Sequence, residues 1–295
     1  MDAGEDSYVG ATSTDLIGSA FFAYSTDLLV RAGEALGKDM SYYRELHKNI
    51  VKRFREYFME NGMPKEQLPL TEICPPQRMT KKVIDKCKGM TQTAIVLILH
   101  FNLCTEEERP ALVDKLIELI EKFDGLMATG FVGTPYLLHV LSSNGKTDMA
   151  YHLLFEERNP SWLYSVTHGA TTIWEHWNGI KEDGSFWSTD MNSFNHYAYG
   201  SVCDWLYGVV AGITVSEEGV GYKKFTLAPK PDRRLGHVNC ALETVRGRIE
   251  SRWYYKGDEI YYEFTVPMGA EAVITLPDGY TEAVSGGTYY YTTKA

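Results

Sequence analysis

The sequence predicts a mainly helical chain that ends in an all-β domain. Three observations carry this expectation. Apolar residues recur at i, i+3 and i+4 through the first two-thirds of the 295 residues, the period of one helix face. After Gly212 the pattern switches to strict alternation, with Ile260, Tyr262, Phe264 and Val266 set between Glu259, Tyr261, Glu263 and Thr265. Glycine, asparagine and proline punctuate the segments where turns are needed. The expected boundary gives a helical domain over 1–213 and a small β-sandwich over 214–295.

In order along the chain, Ile17, Ala20, Phe21, Tyr24, Leu28 and Ala32 predict a first helix with these side chains on one face. Ser13 or Thr14 can cap its start, and Gly37 stops it. A second helix is expected from about Ser41 to Tyr57, ending near Asn61-Gly62. Residues 63–88 mix proline and lysine without a clean period and read as a long surface loop. Thr91–Leu103 is apolar nearly all round, as a buried helix is. Pro110 suits the first turn of the next helix, which presents Leu112, Val113, Leu116, Ile117 and Ile120. Gly133–Ser143 and Lys146–Glu156 form a helix pair split at Asn144-Gly145, and a last helix covers Ser201–Ala211. The expected strands are the alternating run Ile249–Tyr255, the run 259–266 after the turn Lys256-Gly257-Asp258, and Ala272–Leu276 before Pro277-Asp278-Gly279. About seven helices in antiparallel pairs point to a helical barrel or toroid; a barrel of six hairpins needs twelve, so the chain forms either a smaller helical array or a part of such a barrel.

A formal net charge of -10 and a pI near 5.3 argue against nucleic acid and anionic membranes as partners. No apolar run approaches a membrane span, and the acidic N-terminus reads as free of a signal peptide. The five cysteines, Cys74, Cys87, Cys104, Cys203 and Cys240, are odd in number and lack metal-ligand spacing. Reduced, buried thiols and a cytoplasmic location are the expectation. Lys81, Lys82, Lys86 and Lys88 read as a solvated loop face.

The chain holds 20 Tyr and 6 Trp, many of them between residues 160 and 210. Tyr and Trp join a flat apolar face to a polar edge, which suits sugar rings and equally suits an aromatic core. The densest cluster is Pro160-Ser161-Trp162, then His168 to Gly179, then Met191 to Gly200. Trp174-Glu175-His176-Trp177 sets one carboxylate between two indoles. Such a group is either a buried structural carboxylate or a catalytic one in an aromatic cleft. His168 and His176 are pocket residues or helix-end packers. Gln92 and Thr129 sit at helix ends, where they line a mouth or merely cap and pack.

Thr171-Thr172-Ile173-Trp174-Glu175-His176-Trp177, followed by Ser193-Phe194-Asn195-His196-Tyr197, resembles the signature of the inverting bacterial α-L-rhamnosidases. Gly130-Phe131-Val132-Gly133-Thr134-Pro135-Tyr136-Leu137-Leu138 and Trp205-Leu206-Tyr207-Gly208-Val209-Val210-Ala211-Gly212-Ile213 resemble the same family in order and spacing. The resemblance extends from about Gly10 into the β-tail. It implies a partial (α/α)6 barrel, about half of one, followed by a β-sandwich. It also implies hydrolysis of terminal α-L-rhamnose from a rhamnosylated glycoside or oligosaccharide, with no cofactor and no metal.

It places the general base on Glu175 and a sugar-contacting histidine on His196. Trp174 and Trp177 would flank the base in the rhamnose pocket. Asn195 would orient His196 or touch sugar, and Trp162 would be core or a stacking platform. The family's general acid lies in an Arg-, Gly- and Trp-rich acidic block that has no counterpart here. A chain that keeps its base and lacks its acid is therefore expected, along with a homo-oligomer that covers the open half-barrel. Two other functions fit the same residues: a sugar-binding fragment without hydrolysis, and a different (α/α)6 glycosidase.

Overall fold

The structure is a computed structural model that describes residues 10–66, 68 and 88–295. The chain divides into two compact units, Met1–Tyr199 and Gly200–Ala295. Among the described residues the first holds seven α-helices: α1 Thr14–Ala35, α2 Ser41–Phe58, α3 Gln92–His100, α4 Arg109–Lys122, α5 Thr134–Ser143, α6 Thr147–Leu154 and α7 Trp162–Thr167.

α3 is the centre of this unit. Gln92 through Leu99 are all buried, so the helix is apolar on every side because every side is packed. The Thr91 hydroxyl caps it by accepting the Ala94 N–H at 3.1 Å. At its other end Arg109 donates to the Leu99 carbonyl and to Asn102. α4 buries Leu112, Val113, Leu116 and Ile120 with Pro110 in its first turn, as its spacing predicts.

The buried face of α1 differs from the expected one. Leu16, Ala20, Ala23, Thr26, Val30 and Gly33 are buried, whereas Leu28 and Ala32 face solvent. Phe21 and Tyr24 are half-buried in an aromatic cluster with Phe101 and Tyr136, where the Tyr24 and Phe101 rings stack at 4.2 Å. This cluster sits at the edge of the core, so the axis of burial is rotated away from the largest side chains. Phe22 and Leu29 on the same helix and Leu36 at its C-cap, seven residues apart, remain exposed.

α2 ends in a tight hairpin, β1 Met59–Glu60 against β2 Met63–Pro64. Asn61 and Gly62 take φ of 50° and 78°, the left-handed pair that a two-residue hairpin turn requires. The expected loop over 63–88 therefore begins with a strand at 63–64. Most of that segment, with Cys74, Cys87, Lys81, Lys82 and Lys86, lies outside the described residues. Cys104 and Cys240 are half-buried, and burial raises the pKa of both thiols. Cys203 is exposed, against the expectation of buried thiols.

An ion pair fixes the start of α4. Arg55 on α2 donates to both carboxylate oxygens of Glu108, at 2.7 and 2.8 Å, and to the Leu103 carbonyl. Glu108 also accepts the Thr105 N–H while the Thr105 hydroxyl accepts the Glu108 N–H, a reciprocal cap. The Arg55 hydrogen bond is the main reason the Glu108 carboxyl is held down to about 2. A depressed carboxylate contributes stability above its unfolded pKa and loses it as pH falls through the folded one. The stability gap between the parent chain and Glu108→Gln should therefore be full at pH 7, about 2 kcal/mol after allowance for partial solvent screening. It should shrink as pH falls from about 4.5 towards about 2. Urea midpoints of both proteins at pH 7 and pH 3 measure this, and a gap that stays constant refutes it.

A helical run leads from the first unit into the second: it begins in the 3₁₀ turn Ala198–Ser201, continues through Val202–Trp205 and ends in a π turn at Leu206–Val210. The expected regular helix over Ser201–Ala211 is thus wound three ways. The wider last turn presents the Val210 carbonyl to the Trp253 indole N–H at 2.8 Å, and the Ala211 carbonyl accepts the Ser251 hydroxyl at 2.6 Å.

Apart from the 3₁₀ turn Val220–Tyr222, the regular elements in the rest of the unit are β: β3 Ile213–Val215, β4 Lys224–Leu227, β5 His237–Thr244, β6 Gly247–Lys256, β7 Glu259–Thr275 and β8 Thr281–Lys294. The order is β3-β4-β7-β6-β5, with β8 also on β7 and only the β4–β7 pair parallel. β7 merges the two expected strands 259–266 and 272–276. Its first half pairs with β6 and its second with β4, and its register against β8 shifts between Val266 and Glu271. Trp253, Tyr262, Phe264 and Ile249 point to the buried face, as alternation predicts.

Candidate active site

Two helix starts and one long loop build the site. At the N-terminus of α3, the Gln92 side chain is 3% exposed and fully bonded. Its amide donates to the Leu119 and Leu126 carbonyls at 3.3 and 3.2 Å, and its oxygen accepts the Ala128 N–H at 2.7 Å. This pins the chain after α4 against α3. Thr129, also buried, shares a 2.9 Å hydrogen bond with Thr134 at the start of α5. Between them Gly130, Phe131, Val132 and Gly133 turn into α5. A Cβ on Gly133 would lie 2.9 Å from the Thr93 hydroxyl, so only glycine lets this turn approach α3.

α7 is capped by the Ser161 hydroxyl, which accepts the Tyr164 N–H at 3.0 Å. Trp162 is buried, and its indole donates to the Tyr199 carbonyl at 2.9 Å. His168 ends the helix: its Nδ1 bonds the Tyr164 carbonyl at 2.8 Å and its ring stacks on Tyr164. It is a helix-end packer.

The loop after α7 folds back on itself without regular secondary structure. The Glu175 N–H donates to the Ser193 carbonyl, the Ser193 N–H donates to Glu175 Oε2, and the His196 N–H donates to the Ile173 carbonyl, each at 2.8 Å. The Thr172 hydroxyl donates to the Phe194 carbonyl. One oxygen of Glu175 is thus held by a main-chain donor, and Oε1 has no partner among the described residues.

Glu175 lines a cavity of about 590 Å³ together with His176, Trp187, Met191, Phe131 and Tyr199, and the α3 start at Thr91–Thr93 closes another side. His176 stacks flat on Trp187 at 3.6 Å, so it is a pocket residue. Among the described residues that line this cavity, Glu175 is the one carboxylate. The volume and the aromatic walls suit a small ligand with apolar faces. No group of three His, Cys, Asp or Glu among the described residues could hold a metal ion. No helix among them is long and apolar enough to cross a membrane.

The expected site residues gather in this loop and, for Trp162, at the start of α7 against it, in two layers. His196 stacks on Phe131 at 4.6 Å, which brings it beside the cavity wall, and its Nδ1 accepts the Ala198 N–H at 3.3 Å. Asn195 is exposed, with its N–H bonded to the Ser193 hydroxyl. Trp162, Trp174 and Trp177 are not among the lining residues. Trp174 is buried with its ring edge-on to Phe194, and Trp177 stacks on Tyr199 at 3.6 Å and meets Trp162 edge-on. Sequence reasoning passed over Trp187, Phe131 and Tyr199 as wall residues. Their signal was their place in the blocks that carry or flank the aromatic run, which does not say which ring faces inward.

Residues 2–210 match the family described as the bacterial alpha-L-rhamnosidase 6 hairpin glycosidase domain, and residues 212–290 match the bacterial alpha-L-rhamnosidase C-terminal domain. The chain is similar to an alpha-L-rhamnosidase of Formosa agariphila, at 37% identity over 277 residues, which is 93% of this chain and 27% of that protein. It is also 36% identical over 273 residues to one of Streptomyces avermitilis, covering 92% of this chain and 24% of that protein. The chain thus spans about a quarter of the length of these curated relatives.

Among solved structures, it is similar to Streptomyces avermitilis alpha-L-rhamnosidase complexed with L-rhamnose, with a TM-score of 0.84 and 33% identity over 100% of this chain and 29% of that one. It is likewise similar to native alpha-L-rhamnosidase from Aspergillus terreus, with a TM-score of 0.84 and 29% identity over 96% of this chain and 31% of that one.

Proposed function

This chain belongs to the bacterial α-L-rhamnosidase family, and on that premise we propose that it carries the general-base half of an inverting site for terminal α-L-rhamnose. The observation that carries the reading is Glu175: a carboxylate on the wall of an aromatic cavity, with one oxygen held by a main-chain N–H and the other unpartnered among the described residues.

Inverting glycosidases set two carboxyl groups about 6.5–9.5 Å apart with a water between one of them and the sugar. In this reading Oε1 of Glu175 takes a proton from that water as its oxygen bonds the anomeric carbon and the glycosidic bond breaks. The leaving oxygen is protonated by an acid that the described residues lining this cavity do not supply, since Glu175 is the one carboxylate among them. His196 donates to a rhamnose hydroxyl: its Nδ1 already accepts the Ala198 N–H, which leaves Nε2 as the protonated nitrogen of the neutral ring. Asn195 touches sugar from the rim. Trp174, Trp177 and Trp162 act from behind the wall, by fixing the loop and Tyr199.

α-L-Rhamnosyl fluoride tests this on the chain itself, because fluoride departs without a general acid. Proton NMR at early times should show β-L-rhamnose as the first sugar formed. Appearance of α-L-rhamnose first would mean retention and would remove the base assignment. Rhamnose binding without turnover would favour a sugar-binding fragment instead.

A further inference from the structure

We infer that Thr172 and Asn192 are positioning residues for Glu175, and that together they brace the loop carrying the base from two sides. The inference rests on Glu175 being the general base and adds what keeps it in place.

The loop from Ile173 to Gly179 has no helix or strand of its own to hold it. It is held by the segment 192–196, at both of its ends. At the first end, four hydrogen bonds join residues 172–175 to 193–196, and three of their donors are main-chain N–H groups. The fourth donor is the Thr172 hydroxyl, bonded to the Phe194 carbonyl. That carbonyl lies between Ser193, whose N–H holds Glu175 Oε2, and His196, whose N–H meets Ile173. Thr172 therefore sets the register of the pairing that places both side chains.

At the second end, the Asn192 amide donates to the Gly179 carbonyl at 2.9 Å. Two features of this bond point away from a purely structural role. The Gly179 carbonyl also accepts the Trp187 N–H at 3.1 Å, so it stays satisfied without Asn192. Meanwhile Asn192 Oδ1 is buried with no hydrogen-bond partner. A buried, unpaired acceptor is unfavourable, and such groups persist where the surroundings require a position. Asn192 immediately precedes Ser193, so its anchor on Gly179 fixes where the Ser193 N–H meets the carboxylate. Displacement of a reacting group by about 1 Å can lower a rate by roughly 10²-fold, which makes such a brace consequential.

The test compares kcat and KM on α-L-rhamnosyl fluoride, with thermal midpoints measured on the same samples. Asn192→Ala is expected to keep its midpoint, since the alanine removes an unpaired acceptor and leaves Gly179 bonded. Its kcat is expected to fall about tenfold with little change in KM. Thr172→Val is expected to lower kcat by a similar factor and also raise KM, because His196 shifts with it, while Thr172→Ser restores both.

Both variants keeping kcat and KM within about twofold of the parent, while Glu175→Gln is inactive, would overturn the brace and leave the base assignment standing. A fall in kcat matched by an equal loss of folded protein in both variants would assign them a structural role alone and overturn it too. Parent turnover that survives Glu175→Gln, or no parent turnover at all, would overturn the base assignment and the brace with it.

Discussion

Glu175→Gln is expected to lower turnover of α-L-rhamnosyl fluoride by about 10²–10⁴-fold, the range that a positioned general base contributes. Glutamine has the shape of glutamate, and its amide oxygen can still accept the Ser193 N–H that now meets Oε2 at 2.8 Å. The loop pairing is kept, so the loss isolates one property: an amide cannot take a proton from the attacking water. A second variant sharpens the reading. Glu175→Gly opens space on the cavity wall, and azide, which attacks without giving up a proton, should restore turnover and yield the β-rhamnosyl azide. Activity of Glu175→Gln within about tenfold of the parent would show that the base lies elsewhere. Azide rescue that gave the α-azide would contradict inversion.

The second large effect falls on stability. Gln92→Leu should destabilise the helical unit by about 3 kcal/mol, a fall in thermal midpoint of roughly 6–10 °C. Gln92 satisfies three backbone groups at the end of α4 and on the chain that follows it: the Leu119 and Leu126 carbonyls and the Ala128 N–H. Leucine fills similar volume and leaves those groups without this partner. Gln92→Glu should be no better, because a carboxylate has no N–H to offer the two carbonyls and would be buried unpaired. The segment released is the one that leads to Phe131, on which His196 stacks. Rhamnose affinity is therefore expected to fall along with the midpoint. A midpoint within about 2 °C of the parent would show that water replaces Gln92 without loss.

Sequence and structure agree where interactions are local. The helix over Thr91–Leu103, the proline-led α4 and the alternation in β6 and β7 follow from spacing, since side chains a few residues apart share a face. The break at Asn61-Gly62 is likewise written in its dipeptide. β5 and β8 escaped notice because their sequences, rich in threonine, tyrosine and glycine or interrupted by polar residues, show little contrast between faces. The buried face of α1 departs from its spacing for a related reason. Its exposed Phe22 and Leu29 are as apolar as its core residues, and only packing against α2 and against Met40, which lies over Gly33, decides which side is inside.

Sequence alone determined the family and the helix-then-sheet order, because each is a matter of residue type at a spacing. Tertiary structure decided what surrounds Glu175. The bond from Ser193 to Glu175 spans eighteen positions in the chain, and Phe131 reaches His196 from a different helix start. Which tryptophans stand behind the wall and which aromatic rings form it was settled in the same way. Such pairings depend on how irregular loops close on one another, and irregular loops carry no period from which the closure can be read.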